Sequence, residues 1–155
     1  MTDEEARVAE LIRSAFHGVT LGEGVGLLQG QGIDDYEDAK TIAEYRSRDE
    51  KLDWSRIPPE ELSRCHSSLS FFDAEGMRFH LPAYLIADLE GTLDQDVVFH
   101  LTHFEILGTS RFDILSDAQR HAVREFLLLF LADRTCEFEQ PMIETALREY
   151  WREVV

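Results

Sequence analysis

Apolar and polar residues alternate with a helical period at the beginning of the chain. Thr2 and Glu5 have the three-residue spacing of a capping box, in which each side chain binds the backbone N–H of the other residue. Apolar residues then recur every three or four positions, at Val8, Leu11, Ile12 and Ala15. This spacing predicts an amphipathic helix that ends near Phe16, just before Gly18.

A second capping box, formed by Ser116 and Gln119, precedes the most apolar helix of the chain. This helix is amphipathic at first and becomes apolar on every side over residues 126–131, which predicts a central, buried helix. We expect three of its side chains to be almost fully buried: Phe126, Leu127 and Phe130. A final helix is predicted over about residues 138–153, with apolar positions at Ile143, Ala146, Leu147, Tyr150 and Trp151.

The segment after the first helix is rich in glycine. Residues 18–32 contain six glycines, and we interpret them as a flexible connector around a short helical turn. The part Gly22–Gly26 is superficially similar to a phosphate-binding loop. However, it lacks the Lys-Ser/Thr pair, follows a helix, and carries Glu23 where an anion would bind. A helix over about residues 35–48 and a short, proline-started helix at residues 57–62 are predicted next.

Alternating residues in the middle of the chain predict a β-hairpin. Asp73 and Gly76 have the positions of a type I turn, with Gly76 expected in the left-handed conformation. This turn would place Phe71 opposite Phe79 and put the bulky apolar side chains on one face. Pro82 is expected at the end of the second strand, where its missing N–H costs least, and at the start of a helix.

A third strand is predicted at residues 97–104, where apolar side chains alternate with His100 and Thr102. No linker or internal repeat divides the chain, which predicts a single domain over residues 1–155. The expected fold class is therefore α+β. A small antiparallel sheet, made of the hairpin 69–81 and the strand 97–104, is expected to pack against about five to six helices.

The charge of the chain limits the classes of partner. Fifteen Lys and Arg residues stand against 31 Asp and Glu residues, so the formal net charge is −16. Such a field repels phosphate backbones and anionic lipids, and we therefore predict neither nucleic acid nor membrane as a partner. It favours a basic protein partner, and the other interpretation is an ordinary, very soluble acidic surface. The sequence carries no signal for an oligomeric state.

The cysteines and the apolar runs bear on the cellular compartment. Cys65 and Cys136 lie far apart without the spacing of a zinc site or a redox motif, which predicts two reduced, partly buried thiols. The first residues are acidic, unlike those of a signal peptide. The longest apolar run, residues 126–132, is too short to cross a bilayer. We therefore expect the protein to be cytoplasmic.

The sequence contains no motif of a hydrolytic or redox enzyme. On the predicted strand, His100 and His103 would point to opposite faces and could not bind one metal ion together. We therefore predict no catalytic residues, no metal site and no cofactor.

Two groups of residues are candidate binding sites. On the polar face of the predicted sheet, Arg78, His80 and His100 could bind a carboxylate or phosphate, or help to transfer protons. The other interpretation of this face is an ordinary hydrated surface. The second group surrounds a tryptophan in a predicted turn, and its members are Arg46, Asp49, Glu50, Asp53 and Trp54. This tryptophan is either an anchor for a partner or a lid over the core with its indole N–H bonded.

Two classes of function stay open at this point. The first, which we favour, is a non-catalytic interaction or regulatory module that uses its acidic surface on a protein partner. The second is a small enzyme or anionic-ligand-binding protein that uses the face formed by Arg78, His80 and His100. A concave pocket lined by these three residues would favour the second class, and a flat hydrated face would favour the first.

Three segments, 46–54, 69–89 and 116–131, together resemble a family of small acidic bacterial proteins known only as a domain of unknown function. The core pattern of that family is Phe-x-Asp-x-Glu-Gly-x-Arg-Phe-x-Leu-Pro-Ala-Tyr, and His80 stands at a variable position in it. The matching residues are Phe71, Asp73, Glu75, Gly76, Arg78, Phe79, Leu81, Pro82, Ala83 and Tyr84. The resemblance implies a shared fold and carries over no activity, cofactor or catalytic residue.

Overall fold

The described residues, 1–133 and 137–153 of a computed structural model, form helices and connecting turns without any β-strand. The α-helices are α1 (Asp3–Ala15), α2 (Leu27–Asp34), α3 (Ala39–Arg48), α4 (Pro59–Arg64), α5 (Ser68–Phe71), α6 (Ala74–Leu89), α7 (Val97–Thr102), α8 (Phe104–Leu107), α9 (Asp117–Asp133) and α10 (Gln140–Glu149). Two short 3-10 helices, Trp54–Arg56 and Ser110–Phe112, lie between them. The predicted α+β fold, with a hairpin at 69–81 and a strand at 97–104, is therefore wrong.

The predicted hairpin is instead the junction between α5 and α6. Asp73 is the N-cap of α6, and its Oδ1 accepts a hydrogen bond from the backbone N–H of Gly76 at 2.9 Å. An Asp three residues before a free N–H suits a type I turn and a helix N-cap equally well. Phe71 ends α5, Phe79 is buried within α6, and Pro82 lies inside this helix. The predicted pairing of Phe71 with Phe79 is therefore absent.

Helix α6 is the centre of the fold, and its complete burial hid its helical period. Eleven of its sixteen residues are buried, on all sides of the helix. A helix without a polar face has no amphipathic period, so its sequence gives no clear helical signal. The other elements pack around it: α1, α4, α7 and both 3-10 helices all contact α6.

The predicted third strand is the short helix α7. The side chain of Asp96 caps this helix by accepting from the backbone N–H of Phe99 at 3.0 Å. The buried side chains follow at helical spacing, at Val97, Val98, Leu101 and Thr102. The alternation of apolar and polar residues that indicated a strand was incidental, because burial here follows a period near 3.6 residues.

The predictions made from capping signals near the ends of the chain are confirmed. Thr2 and Glu5 form the capping box of α1, and Ser116 and Gln119 bind each other's backbone N–H before α9. Phe126 and Leu127 are buried as expected, whereas Phe130 is only partly buried against the core. Two helices are shorter than predicted: α3 begins at Ala39 and α10 spans Gln140–Glu149.

The glycine-rich segment is a tightly packed connection that leads into α2. Its backbone N–H groups are bound by carboxylates of the same chain: Val25 N donates to Asp73 Oδ1 at 2.9 Å, and Glu23 N donates to Glu75 Oε2 at 3.0 Å. The loop lies so close to α6 that a Cβ on Gly24 would come within 2.6 Å of the Gly76 nitrogen. These N–H groups are therefore not free to bind a phosphate.

Gly76→Ala is expected to destabilise the protein by about 1–3 kcal/mol, because the new Cβ would overpack the contact with the loop. It would lie 2.6 Å from the carbonyl oxygen of Val25. The sequence predicted a cost for a different reason, a left-handed backbone at Gly76. Gly76 is not among the described glycines with positive φ, so that reason does not apply. Without the loop contact, replacing a glycine inside a helix by alanine would stabilise the helix by about 1 kcal/mol. Thermal unfolding therefore shows whether the variant is less or more stable than the wild type.

The matched control for this change is Gly91→Ala. Gly91 has φ +73° and nothing within 4 Å of its added Cβ, so its cost comes from backbone conformation alone. We expect this control to lose about 1 kcal/mol. An increase in the melting temperature of Gly76→Ala would show that the loop does not press on α6.

Candidate functional site

The candidate binding group around Trp54 is partly buried. Asp49 is buried, and its two carboxylate oxygens accept from the backbone N–H groups of Leu28 at 2.7 Å and Gln29 at 3.2 Å. It therefore caps the first turn of α2 from a distant part of the chain. Burial raises the pKa of Asp49 above its ordinary value, although the two N–H donors act in the opposite direction.

The other members of this group contact different parts of the fold. Arg46 donates to the carbonyl oxygen of Gly22 at 2.8 Å, which ties α3 to the glycine-rich segment. Glu50 accepts from two backbone N–H groups of its own turn, those of Leu52 and Asp53. These residues hold backbone segments in place and do not form one continuous acidic surface with Asp49.

Trp54 covers the core with its indole N–H bonded, which is the second of the two interpretations of its sequence context. Its side chain is 7% exposed, and Nε1 donates to the carbonyl oxygen of Phe16 at 3.0 Å. Asp53 beside it caps the 3-10 helix by accepting from Ser55, and these hydrogen bonds lower the pKa of Asp53. One edge of the Trp54 ring still lines a surface groove.

The three residues of the predicted sheet face lie on two helices, Arg78 and His80 on α6 and His100 on α7. His80 has no exposed surface, its ring stacks on Phe72 at a centroid distance of 4.2 Å, and its Nδ1 lies 2.7 Å from the carbonyl oxygen of Gly76. Burial lowers the pKa of His80 to about 4. An enclosed, neutral His80 cannot contact a ligand at the surface.

His100 is paired with an arginine that the sequence did not single out. Its Nδ1 lies 3.5 Å from Nη2 of Arg111, whose Nη1 donates to the carbonyl oxygen of Leu69 at 2.7 Å. Burial, followed by the positive charge of Arg111, lowers the pKa of His100 to about 4. No hydrogen bond or ring contact in the described chain joins His100 to Arg78 or His80.

The best candidate site among the described residues is a narrow cleft where the beginning of α10 packs on α7. We call it the α7–α10 cleft. Its volume is about 120 Å³. The lining residues are Asp96, Val98, Phe99, Thr102, His103, Phe138, Glu139, Met142 and Ile143.

Aromatic and apolar side chains form the walls of the cleft. The rings of Phe99 and His103 are stacked with centroids 4.0 Å apart and planes 20° apart. The hydroxyl of Thr102 donates to the Val98 carbonyl oxygen at 2.9 Å, so it presents mainly its methyl group. On the other side, Phe138 is 92% exposed. An aromatic side chain this exposed contributes little to the core.

One wall of the cleft comes from a stretch of the chain without basic residues. Among the described residues, the lining of the cleft contains two carboxylates, Asp96 and Glu139, and no Lys or Arg. No Lys or Arg occurs anywhere from residue 79 to residue 110, a stretch with five acidic residues: Asp88, Glu90, Asp94, Asp96 and Glu105. This absence of basic residues is visible in the sequence and indicates the region of the cleft. The net charge of the whole chain does not indicate any region.

The size of the cleft limits what it can bind. Sites for cofactors and drug-sized molecules usually enclose roughly 300–1,000 Å³, whereas this cleft has room for about one long side chain. Residues 1–133 and 137–153 bring together no group of three or more His, Cys, Asp or Glu that could hold a metal ion. The geometry therefore suits a side chain of another protein.

Two further predictions concern the thiols and the membrane. Cys65 is buried, and burial raises the pKa of its thiol to about 11, which makes it a poor nucleophile. Cys136 lies outside the described residues. Among the helices that the structure describes, none is long and apolar enough to cross a membrane.

Comparison with known proteins identifies a family but no activity. The model of a family of unknown function, DUF6714, matches residues 4–155. This match confirms the resemblance to a domain of unknown function. No curated protein and no solved structure matches the chain significantly. The functional argument therefore rests on the geometry of the cleft.

Proposed function

The chain belongs to DUF6714, a family of unknown function, and we propose that it is a non-catalytic protein-interaction module that binds a basic segment of a partner protein. The observation that carries this proposal is the α7–α10 cleft. Among the described residues, it combines aromatic and apolar walls with the carboxylate of Asp96 and no lining cation. A Lys or Arg side chain has the matching chemistry, with an apolar stem and a cationic end.

In this proposal, the stem of the partner's Lys or Arg side chain packs between Val98 and Met142. Its charged end then reaches the carboxylate of Asp96, which lines the same cleft. The stacked rings of Phe99 and His103 add a π face, which attracts a cation by about 0.5–1 kcal/mol at an exposed site. The three contributions select a long basic side chain over an apolar or acidic one.

Phe138 is the proposed aromatic anchor beside the cleft. Aromatic residues that become enclosed by a partner contribute a large share of binding free energy in many interfaces. Phe138 is 92% exposed, so a partner that covers it would remove most of its surface from water. The anchor explains why the interaction is expected to be specific and not only electrostatic.

The charge of the whole chain supports the same partner. A net charge of −16 accelerates the approach of a basic protein. The association rate is therefore expected to fall when the salt concentration rises to the physiological range, where screening acts over about 8–10 Å. We also propose that this interaction takes place in the cytoplasm, because Cys65 and Cys136 lack the spacing of a redox motif or zinc site in the sequence.

Asp96→Asn is expected to weaken capture of the partner by about tenfold, equal to about 1.4 kcal/mol. Asparagine keeps the N-cap of α7 but removes the charge from the cleft. The matched control is Asp94→Asn, which makes the same charge change on an exposed residue that does not line the cleft. The measurement is quantitative capture from cells that make the protein, with mass spectrometry of the bound proteins.

Phe138→Ser tests the anchor in the same experiment. The Phe138→Ser variant should fold like the wild type, because the Phe138 side chain is exposed. We expect the proteins lost with Asp96→Asn to be lost with Phe138→Ser as well, and kept with Asp94→Asn. Equal loss with Asp94→Asn would mean that net charge alone, and not the cleft, holds the partner.

A further inference from the structure

A second concave surface lies apart from the α7–α10 cleft, between the end of α1, the 3-10 helix Trp54–Arg56 and the second half of α6. We call it the Arg13 groove. Its two parts have volumes of about 470 and 190 Å³ and share Arg13, Trp54 and Ser55 among their lining residues. The larger part alone falls within the range of roughly 300–1,000 Å³ that is usual for small-molecule sites.

Apolar side chains form part of the floor of the Arg13 groove. The indole of Trp54 lies at the junction of the two parts. From there, Ile57 and three side chains of α6, Ala83, Ile86 and Ala87, continue the floor. Ile86 is partly exposed and the other four side chains are buried, so a bound hydrocarbon chain would gain mainly from the removal of its own surface from water, at about 25 cal/mol for each Å².

Arg13 places an available cation in the middle of this groove. Its Nη1 is 3.9 Å from Glu10 and its Nη2 is 3.9 Å from Glu90, which is too far for hydrogen bonds. The guanidinium is therefore held in position by two carboxylates while its N–H donors stay open. His17, which follows the end of α1, also lines the groove.

The two carboxylates among the described residues that line the groove, Asp53 and Glu90, both have partners. Asp53 Oδ1 accepts from the backbone N–H and the hydroxyl of Ser55, at 3.0 and 2.6 Å. Its Oδ2 lies 3.7 Å from Nε of Arg56. The donors of Arg13 are thus open polar groups in a groove whose two carboxylates are both paired.

We propose that the Arg13 groove binds a small carboxylate with an apolar chain. The carboxylate accepts from the guanidinium of Arg13, whose planar donors match two carboxylate oxygens, with His17 alongside. The chain of the ligand lies over Trp54 and Ile86. This site uses different residues from the α7–α10 cleft, so it does not depend on the proposed function.

Calorimetric titration of the wild-type protein with octanoate, octanol and acetate tests the ligand class without any variant. Octanoate has both the head and the chain, octanol lacks the charge, and acetate lacks the chain. We expect octanoate to bind about tenfold more tightly than either of the others. Octanol binding as tightly as octanoate would overturn the proposal, and so would the absence of saturable octanoate binding.

Two variants and one signal then locate the site. Arg13→Gln should weaken octanoate binding about tenfold, while the control Arg7→Gln should leave it unchanged. Arg7 is also on α1, but it pairs with Glu4 and Glu125 outside the groove. In nuclear magnetic resonance spectra, octanoate should shift the indole N–H signal of Trp54 and not that of Trp151. Equal effects of the two arginine variants, or a shift of Trp151 alone, would contradict this placement.

Discussion

Trp151→Ala is expected to lower the free energy of unfolding by about 3–5 kcal/mol. The indole is fully buried although it lies beyond the last residue of α10. Its ring packs near Phe104, Phe112 and Tyr150, with centroids 6.4, 5.2 and 4.7 Å away. Its Nε1 donates to the carbonyl oxygen of Leu101 at 2.8 Å. Alanine would remove this link between α10 and α7 and leave a cavity among the aromatic rings.

Denaturant unfolding measures this loss, with Trp151→Phe as the matched control. Phenylalanine keeps most of the buried ring but cannot donate to Leu101, so it should lose only about 1–3 kcal/mol. A loss below about 1 kcal/mol for Trp151→Ala would mean that the segment after α10 does not belong to the core.

Acid is expected to destabilise the protein through His80. Burial lowers the pKa of His80 from its ordinary 6.5 to about 4. The unfolded chain therefore binds the proton more readily than the folded protein, and this contribution to stability is complete above about pH 6.5. As the pH falls towards 4, the contribution is lost, and the difference between the two pKa values corresponds to about 3 kcal/mol.

The variant His80→Phe separates this effect from other titrations. Phenylalanine can keep the stacking on Phe72 but cannot bind a proton, so its stability should depend less on pH between 6.5 and 4. The slope should change by up to about 1.4 kcal/mol per pH unit. His66→Phe, a change at an exposed histidine, is the control and should keep the wild-type slope. Identical slopes for His80→Phe and the wild type would show that the buried imidazole does not resist protonation.

Sequence patterns predicted the helices whose signals are local. The capping boxes at Thr2 and Ser116 involve residues only three positions apart, so the beginnings of α1 and α9 could be inferred without knowledge of the fold. The amphipathic face of α1 and the apolar run of α9 gave further support. Both helices contact few other segments, and their periodicity therefore stays visible.

The central helix could not be predicted in the same way, because its environment is not local. Burial on all sides of α6 leaves no polar face, and Pro82 inside it is typical of a helix boundary. The buried positions of α7, Val97, Val98, Leu101 and Thr102, do have helical spacing. A comparison of the helical period of 3.6 residues with the strand period of two residues over α7 would have favoured a helix.

The burial of the candidate site residues could not be predicted for the same reason. Whether Asp49 or His80 reaches the surface depends on segments far away in the sequence, since Asp49 binds Leu28 and the ring of His80 packs in the core. The stretch from residue 79 to 110 without Lys or Arg is the sequence feature that comes closest to the cleft.

The central claim is that a basic segment of a partner docks at the α7–α10 cleft, and site-specific photocrosslinking tests it most directly. The photoreactive residue p-benzoylphenylalanine would replace Phe138 in one protein and Tyr36 in another. Tyr36 is the matched control, because it is 95% exposed and also has acidic neighbours, Asp35 and Glu37. Both probes are therefore exposed aromatic rings in an acidic environment.

We expect the probe at position 138 to crosslink a partner next to a Lys or Arg residue, and the probe at position 36 to crosslink little. Addition of Asp96→Asn to the first protein should reduce its crosslinks. Crosslinks of equal yield at both positions, or at position 36 alone, would contradict docking at the cleft.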